Sequence, residues 1–143
     1  AAGIAVSAQK QGLLPISQQS LFVLSSLAYH GYEGVALNHD EKARLQADLG
    51  EANFMILPNH GLLTCSATIA DTFLMMFTLQ RACEIQMLAQ GGGAELIMIP
   101  QQILDGARAM AAAVTKSKQG MGGALAWPAL LRKLDLQNPG YRD

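Results

Sequence analysis

The sequence has few cysteines and no arrangement of them that would suggest a disulfide framework. Cys65 and Cys83 are the two cysteines among 143 residues, and they form no CxxC pair. Two thiols in a methionine-rich chain of this size suit a reducing compartment better than a disulfide scaffold. We therefore expect a cytoplasmic protein in which both cysteines are small buried side chains.

Charge of one sign and long hydrophobic runs are also lacking. Ten basic and eleven acidic residues give a net charge of −1, and neither kind forms a block. Such a surface lacks the cluster of basic side chains with which proteins usually bind nucleic acid or another polyanion. No apolar run approaches the roughly 20 residues that span a bilayer, and Ala1 opens no signal-peptide pattern. We expect no nucleic-acid partner and no membrane association.

What the chain does have is apolar content, at 50% of its residues, which is enough for the core of one domain. Two short apolar runs, Phe54–Leu57 and Leu62–Thr64, are predicted to be buried strands because Pro58 and Gly61 bound them. A third short strand is predicted at residues 35–37. Strands interleaved with helices indicate an α/β domain with helices on both faces of a sheet.

Helices are predicted where apolar residues recur with a helical period between capping and breaking residues. They cover residues 1–11, 17–29, 40–50, 68–91, 100–118 and 127–134. The helix over 68–91 is apolar almost all round at Phe73–Phe77, which predicts burial by its own sheet and by another subunit. A cofactor pocket lined by these side chains is the alternative.

His60 lies on the short connection between the two predicted strands, and such connections hold ligating or catalytic side chains in place. A single histidine at a strand end is, however, more often a hydrogen-bonded structural residue. A metal site made by His30, His39 and His60 is a further alternative. Their spacings of nine and twenty-one residues match no common ligand pattern.

The residues around His60 resemble the signature of the class II aldolase/adducin family. The match is carried by Asn59-His60-Gly61-Leu62-Leu63-Thr64 and by the helix start Thr68-Ile69-Ala70-Asp71-Thr72-Phe73. Similar segments are Ala5-Val6-Ser7-Ala8, Tyr29-His30-Gly31-Tyr32-Glu33-Gly34, Trp127-Pro128-Ala129-Leu130-Leu131-Arg132 and Pro139-Gly140-Tyr141-Arg142-Asp143.

The resemblance implies a three-layer α/β/α sandwich with a mainly antiparallel central sheet, assembled as a homotetramer. In the family, a His-x-His pair that provides the first two metal ligands precedes the helix that resembles residues 1–11. We therefore expect residues 1–143 to be the C-terminal part of a single domain that is incomplete at its N-terminus. Residues 91–143 are expected to form a helical C-terminal extension that can contact a neighbouring subunit.

By the same resemblance, His60 is the third protein ligand of a catalytic divalent metal, usually Zn²⁺. The implied function is that of a metal-dependent lyase acting on a small sugar or hydroxy acid, or its phosphate, through an enediolate. Aldol cleavage, decarboxylation and epimerisation all use that intermediate. One histidine does not make a zinc site, so the isolated chain is expected to be inactive.

Two questions about the function stay open at this stage. Tyr32 and Glu33, next to His30, are weak candidates for proton transfer, and a polar loop between helix and strand is the alternative. Adducins keep the fold without known aldolase activity, so a non-catalytic binding or oligomerisation module is the second functional hypothesis.

Overall fold

The computed structural model describes residues 1–35, 39–115 and 122–142. Within these ranges the helices are α1 (Ala2–Ser7), α2 (Gln18–Leu24), α3 (Glu41–Leu49), α4 (Ile69–Gly91), α5 (Gln101–Thr115), α6 (Gly123–Gln137) and a 3-10 helix (Pro139–Arg142). The strands are β1 (Leu27–Tyr29), β2 (Phe54–Leu57) and β3 (Gly61–Thr64). The predicted α/β class is confirmed.

The three strands form one mixed sheet in the order β1-β2-β3. β2 pairs in parallel with β1, where Phe54 lies opposite Leu27. It pairs antiparallel with β3, where Leu57 lies opposite Gly61. The predicted strands β2 and β3 are confirmed. The described sheet, with one parallel and one antiparallel pairing, is mixed rather than mainly antiparallel.

β1 corrects the prediction of a single helix through Tyr29. Helix α2 ends at Leu24, because the Ser25 hydroxyl donates to the Phe22 carbonyl and competes with the helical pattern. The Ser26 hydroxyl accepts from the Asn53 backbone N–H at 3.0 Å, which fixes the chain beside β2. Pairing with β2 therefore overrides the helical spacing of the apolar residues.

The other predicted boundaries shift by a few residues. Helix α1 ends at Ser7 instead of Gln11, and α6 begins at Gly123 instead of Trp127. The predicted strand at 35–37 is not seen at Val35, which lies in a bend, and residues 36 and 37 lie outside the described ranges.

The core lies between the sheet and helices α1, α2 and α4. Its buried members are Val6, Leu13, Val23, Phe54, Ile56, Met75, Leu79, Ala82 and Cys83. Phe54 meets the ring of Phe22 edge to face, with 6.0 Å between ring centroids. Helix α1 approaches β3 closely at Gly3, where a Cβ atom would come within 2.7 Å of Leu62 Cγ.

Helix α4 has the predicted length and start. The Thr68 hydroxyl accepts from the Asp71 backbone N–H at 3.1 Å and caps the helix. Met75 is buried in the core, whereas Phe73 and Phe77 are 44% and 51% exposed. The described chain thus covers one side of this helix, and burial of the other side by a second subunit stays a prediction.

The two cysteines differ in environment. Cys83 is buried on α4, and its burial raises the pKa of the thiol to about 11, so it remains protonated and inert. Cys65 is exposed, so its predicted burial is wrong. Cys65 directly follows β3. Its backbone N–H still donates to the Asn53 carbonyl, but its side chain lies beyond the end of the strand and is not covered.

None of the described helices combines the length and the apolar character needed to cross a membrane.

Helix α6 packs on the start of α4 in the same chain. The Gly123 N–H donates to Asp71 Oδ1 at 3.0 Å, and the Trp127 ring lies 5.5 Å from the Phe73 ring. The contact requires a glycine, because a Cβ at Gly123 would come within 2.6 Å of the Ala70 and Asp71 backbone. Residue 123 thus fixes how closely α6 can approach α4.

We expect Gly123→Ala to displace α6 from α4 and to lower the free energy of unfolding by about 1–3 kcal/mol, as overpacking does. Trp127 is the one tryptophan of the sequence, so its fluorescence emission should shift to longer wavelength as it leaves Phe73.

Gly106→Ala in α5 is the matched control, because a Cβ there meets nothing within 4 Å. It should leave the Trp127 emission unchanged and stabilise the protein by about 0.5–1 kcal/mol. Unchanged emission in Gly123→Ala would contradict the close contact.

Candidate functional site

His60 is the last residue of the tight turn between β2 and β3. Its backbone N–H donates to the Leu57 carbonyl at 2.9 Å. Asn59 takes a left-handed conformation with φ 57°, which asparagine adopts more readily than most residues. The Asn59 N–H donates to the Ser7 carbonyl at 3.1 Å. The turn is therefore fixed by both strands and by the end of α1.

The imidazole of His60 is exposed, and it does not point into the apolar core. It makes no side-chain hydrogen bond or ion pair within the described part of the chain. A buried structural histidine would be expected to have such a partner, but the ring of His60 is not buried. Because the ring is exposed, water can satisfy its nitrogens, and the ring is accessible to a ligand from outside these residues.

A complete metal site is not formed by the described ranges. No group of three or more His, Cys, Asp or Glu side chains within them could hold a metal ion. The three-histidine alternative is therefore not realised: His30 is buried, whereas His39 and His60 are exposed. His60 stands as a single potential ligand.

The sheet topology brings the connections that follow β1 and β2 to one edge. The two strands are parallel, and the His30 N–H continues their pairing by donating to the Ile56 carbonyl at 3.2 Å. The segment with Tyr32 and Glu33 and the turn with His60 therefore leave the sheet at the same edge. Adjacent strands are about 4.8 Å apart, so these connections begin close together.

Tyr32 and Glu33 differ in how they are held at this edge. Tyr32 is exposed, whereas Glu33 forms a bidentate pair with Arg44 of α3, with 2.7 Å between Oε1 and Nε. The hydrogen bonds from Arg44 lower the pKa of the Glu33 carboxyl. A general acid needs a raised pKa, so Glu33 in this arrangement is suited to accept hydrogen bonds rather than to donate a proton.

A cavity of about 450 Å³ lies beside the His60 turn, lined by residues 7–12, Tyr29, Pro58 and Asn59. The Tyr29 hydroxyl accepts from the Leu13 N–H at 3.1 Å, and burial raises the pKa of this phenol. A Cβ at Gly12, which has φ 62°, would collide with that hydroxyl. Sequence reasoning missed this cavity because the predicted helix over residues 1–11 includes residues 8–11, which lie beyond the end of α1.

A second arrangement that sequence reasoning missed surrounds His30. Its ring is 3% exposed, and Nδ1 lies 2.7 Å from Asp48 Oδ2. Nε2 lies 3.5 Å from Glu41 Oε1 and 4.0 Å from Glu33 Oε1. The hydrogen bond with Asp48 raises the pKa of His30, and the cost of burying the charge opposes this. Only folding of α3 back onto β1 brings these groups together.

Residues 1–87 match the family model of the class II aldolase and adducin N-terminal domain. The chain belongs to this family. A predicted aldolase class 2 protein from Pseudomonas aeruginosa is 82% identical over 142 residues, covering 99% of this chain and 55% of that protein. Rat alpha-adducin is 37% identical over 151 residues, covering 99% of this chain and 20% of the adducin.

Two solved structures share the fold. An aldolase II superfamily protein from Pseudomonas syringae superimposes with a TM-score of 0.87 at 45% identity, over 99% of this chain and 56% of that one. L-fuculose 1-phosphate aldolase from Glaciozyma antarctica superimposes with a TM-score of 0.71 at 24% identity, over 100% of this chain and 52% of that one. At 24% identity, the similarity to this aldolase shows a shared fold and nothing more. The chain spans about half the length of the bacterial relative and of these structures.

In this class II aldolase/adducin domain, the backbone at Asn59 can be tested separately from His60. We expect Asn59→Val to lower the free energy of unfolding by about 1–2 kcal/mol, because a β-branched residue is strained at positive φ. Urea unfolding monitored by circular dichroism measures this difference.

Asn59→Gly is the matched control, because glycine reaches the same φ without strain. It should unfold close to wild type despite losing the same side chain. Equal destabilisation by both variants would show that the amide, and not the backbone conformation, is what position 59 requires.

Proposed function

We propose that the full-length protein is a metal-dependent lyase of the class II aldolase type, acting on a small sugar or hydroxy acid, or its phosphate, through an enediolate. The observation that carries this proposal is His60: an exposed imidazole without a partner among the described residues, held on a fixed turn. Membership of a family that includes aldolases supports the same assignment.

The described residues fit one part of a metal centre. A histidine nitrogen is a common ligand of Zn²⁺ and similar divalent ions, and catalytic zinc takes three protein ligands with an open position. His60 would provide one ligand, and a His-x-His pair preceding Ala1 would provide the others. When bound, the cation would act as a Lewis acid toward neighbouring hydroxyl and carbonyl oxygens of the substrate.

The chain's own residues would orient His60 and provide space for the substrate. Ser7 and the two strands fix the turn, so the ring needs little reorganisation to bind. The cavity of about 450 Å³ beside the turn is within the size range of small-molecule sites. Lys10 and Gln11 line it and could contact the hydroxyl or acidic groups of a sugar or hydroxy acid, whereas the Gln9 amide is bonded to Gln86 and Gln90.

The complete domain is proposed to extend this mixed sheet into a mainly antiparallel one within a three-layer α/β/α sandwich. The half-exposed side chains of Phe73 and Phe77 support contact with another subunit, because large aromatic surfaces are costly to leave in water, and the family resemblance makes the proposed assembly a homotetramer. Residues 91–143 would then lie near a neighbouring subunit.

The second candidate function is a non-catalytic, adducin-like binding or oligomerisation module. It is favoured by the 37% identity to rat alpha-adducin, which extends over 99% of this chain. The two functions differ in whether a metal is bound, since the module needs no ligand at His60.

We expect the purified full-length protein to contain about one zinc or equivalent divalent ion per chain and to lose it in His60→Ala. Lyase turnover on a panel of sugar phosphates and hydroxy acids should fall by several orders of magnitude in the same variant. Elemental analysis by inductively coupled plasma mass spectrometry measures the metal content.

His39→Ala is the matched control, because His39 is also an exposed histidine that precedes a structured element. It should retain both metal and turnover. The isolated 143-residue chain should show no turnover. A full-length protein that binds no metal would support the adducin-like module, and metal retained in His60→Ala would exclude His60 as a ligand.

A further inference from the structure

His30 is a buried histidine that the proposed lyase chemistry does not use. Nδ1 lies 2.7 Å from Asp48 Oδ2, within hydrogen-bond distance, and Nε2 is buried without a hydrogen-bond partner among the described residues. The nearest atoms of opposite charge to Nε2 are carboxylate oxygens, at 3.5 Å in Glu41 and 4.0 Å in Glu33. A ring surrounded in this way is more stable as the doubly protonated imidazolium.

Helix α3 depends on these polar contacts because it contributes no buried residue to the core. Asp48 and Glu41 connect the helix to His30, and Arg44 connects it to Glu33. The helix also forms the crossover between the parallel strands β1 and β2. Ionic contacts are therefore a substantial part of what attaches the crossover near the end of β1, beside the half-buried Leu45 and Leu49.

We propose that His30 is a pH-dependent latch, which holds helix α3 against the end of β1 while the ring is protonated and releases it when the ring loses its proton. This inference concerns the stability of the crossover, and it does not depend on the proposed lyase activity.

The charged groups that face the ring support one direction of response. Helix α3 contributes the Asp48 and Glu41 carboxylates, and the connection after β1 contributes Glu33. Arg44 faces Glu33 and engages its carboxylate. From β2, the Ile56 carbonyl accepts the backbone N–H of His30. Among the described residues, the charged groups nearest the ring nitrogens are thus all anionic, and they stabilise the charged ring.

The hydrogen bond with Asp48 is the main reason that the pKa of His30 is raised, and burial partly offsets it. A histidine whose folded-state pKa exceeds its unfolded value contributes its full stabilisation below about pH 6.5. That contribution is lost as the pH rises through the raised pKa. In the neutral ring, the Nε2 lone pair would face Glu41 and repel it.

Release of α3 would loosen residues 39–50 and also residues 31–35, which leave the sheet at the same edge as the His60 turn. The segment with Tyr32 and Glu33 would then become more mobile at high pH. The core residues of α4 lie outside the His30 cluster, so their mobility should not change with pH.

Hydrogen exchange followed by mass spectrometry on the full-length protein tests the latch. Protection factors of α3 amides, corrected for intrinsic exchange, should fall about tenfold between about pH 6 and about pH 9, the effect expected of one hydrogen bond to a charged group. Amides of α4 are the internal reference. In His30→Gln, α3 protection should be low and independent of pH.

Two further variants make the result decisive. His39→Gln removes an exposed histidine near the same helix and should retain the wild-type pH response. Asp48→Asn keeps the shape of the partner but removes its charge, and it should move the loss of protection to lower pH.

If the protection of α3 in the wild type does not change with pH, or if the change persists in His30→Gln, the proposal of a pH-dependent latch is wrong. Should His30→Gln fail to fold, the direction of the Asp48→Asn shift decides.

Discussion

The central strand β2 is the constraint on which the arrangement depends. Phe54 and Ile56 are buried in the core cluster on one face of this strand and Met55 is buried on the other, so a slip by one residue would exchange the side chains that fill the two faces. Parallel pairing with β1 sends two connections to the same edge, and antiparallel pairing with β3 closes the turn that presents His60. The candidate site is thus a result of how one four-residue strand pairs on its two sides.

Charge and apolar packing have separate roles in this domain. Helices α1, α2 and α4 are held by a continuous core, whereas α3 is attached through carboxylates around His30 and through Arg44. Apolar contacts are insensitive to pH, but ionic contacts depend on protonation. On the proposed pH dependence of α3, the part of the fold next to the candidate site responds to pH, while the turn that carries His60 is anchored to α1 and the sheet.

The sequence was sufficient to predict the features that arise from local patterns. The strands β2 and β3, the 23-residue helix α4 and its Thr68 cap follow from apolar runs, breakers and capping residues. His60 was found through the pattern that surrounds it. β1 was mistaken for helix because the three residues gain their pairing from β2, which lies some 27 positions away. The environment of His30 could not be foreseen, because Asp48 and Glu41 reach it only through the crossover.

The close contact between α1 and the β2–β3 turn has a consequence for how this domain tolerates change. Gly3 lies against Leu62, and the Ser7 carbonyl accepts from Asn59, so the helix and the turn act mechanically as one piece. A Cβ at position 3 would collide with the Leu62 side chain, so Leu62 must repack or the helix must move away from β3 and shift the neighbouring turn through Ser7. Substitutions among the small residues of α1 would thus shift the position of the His60 imidazole, although those residues do not contact the ring.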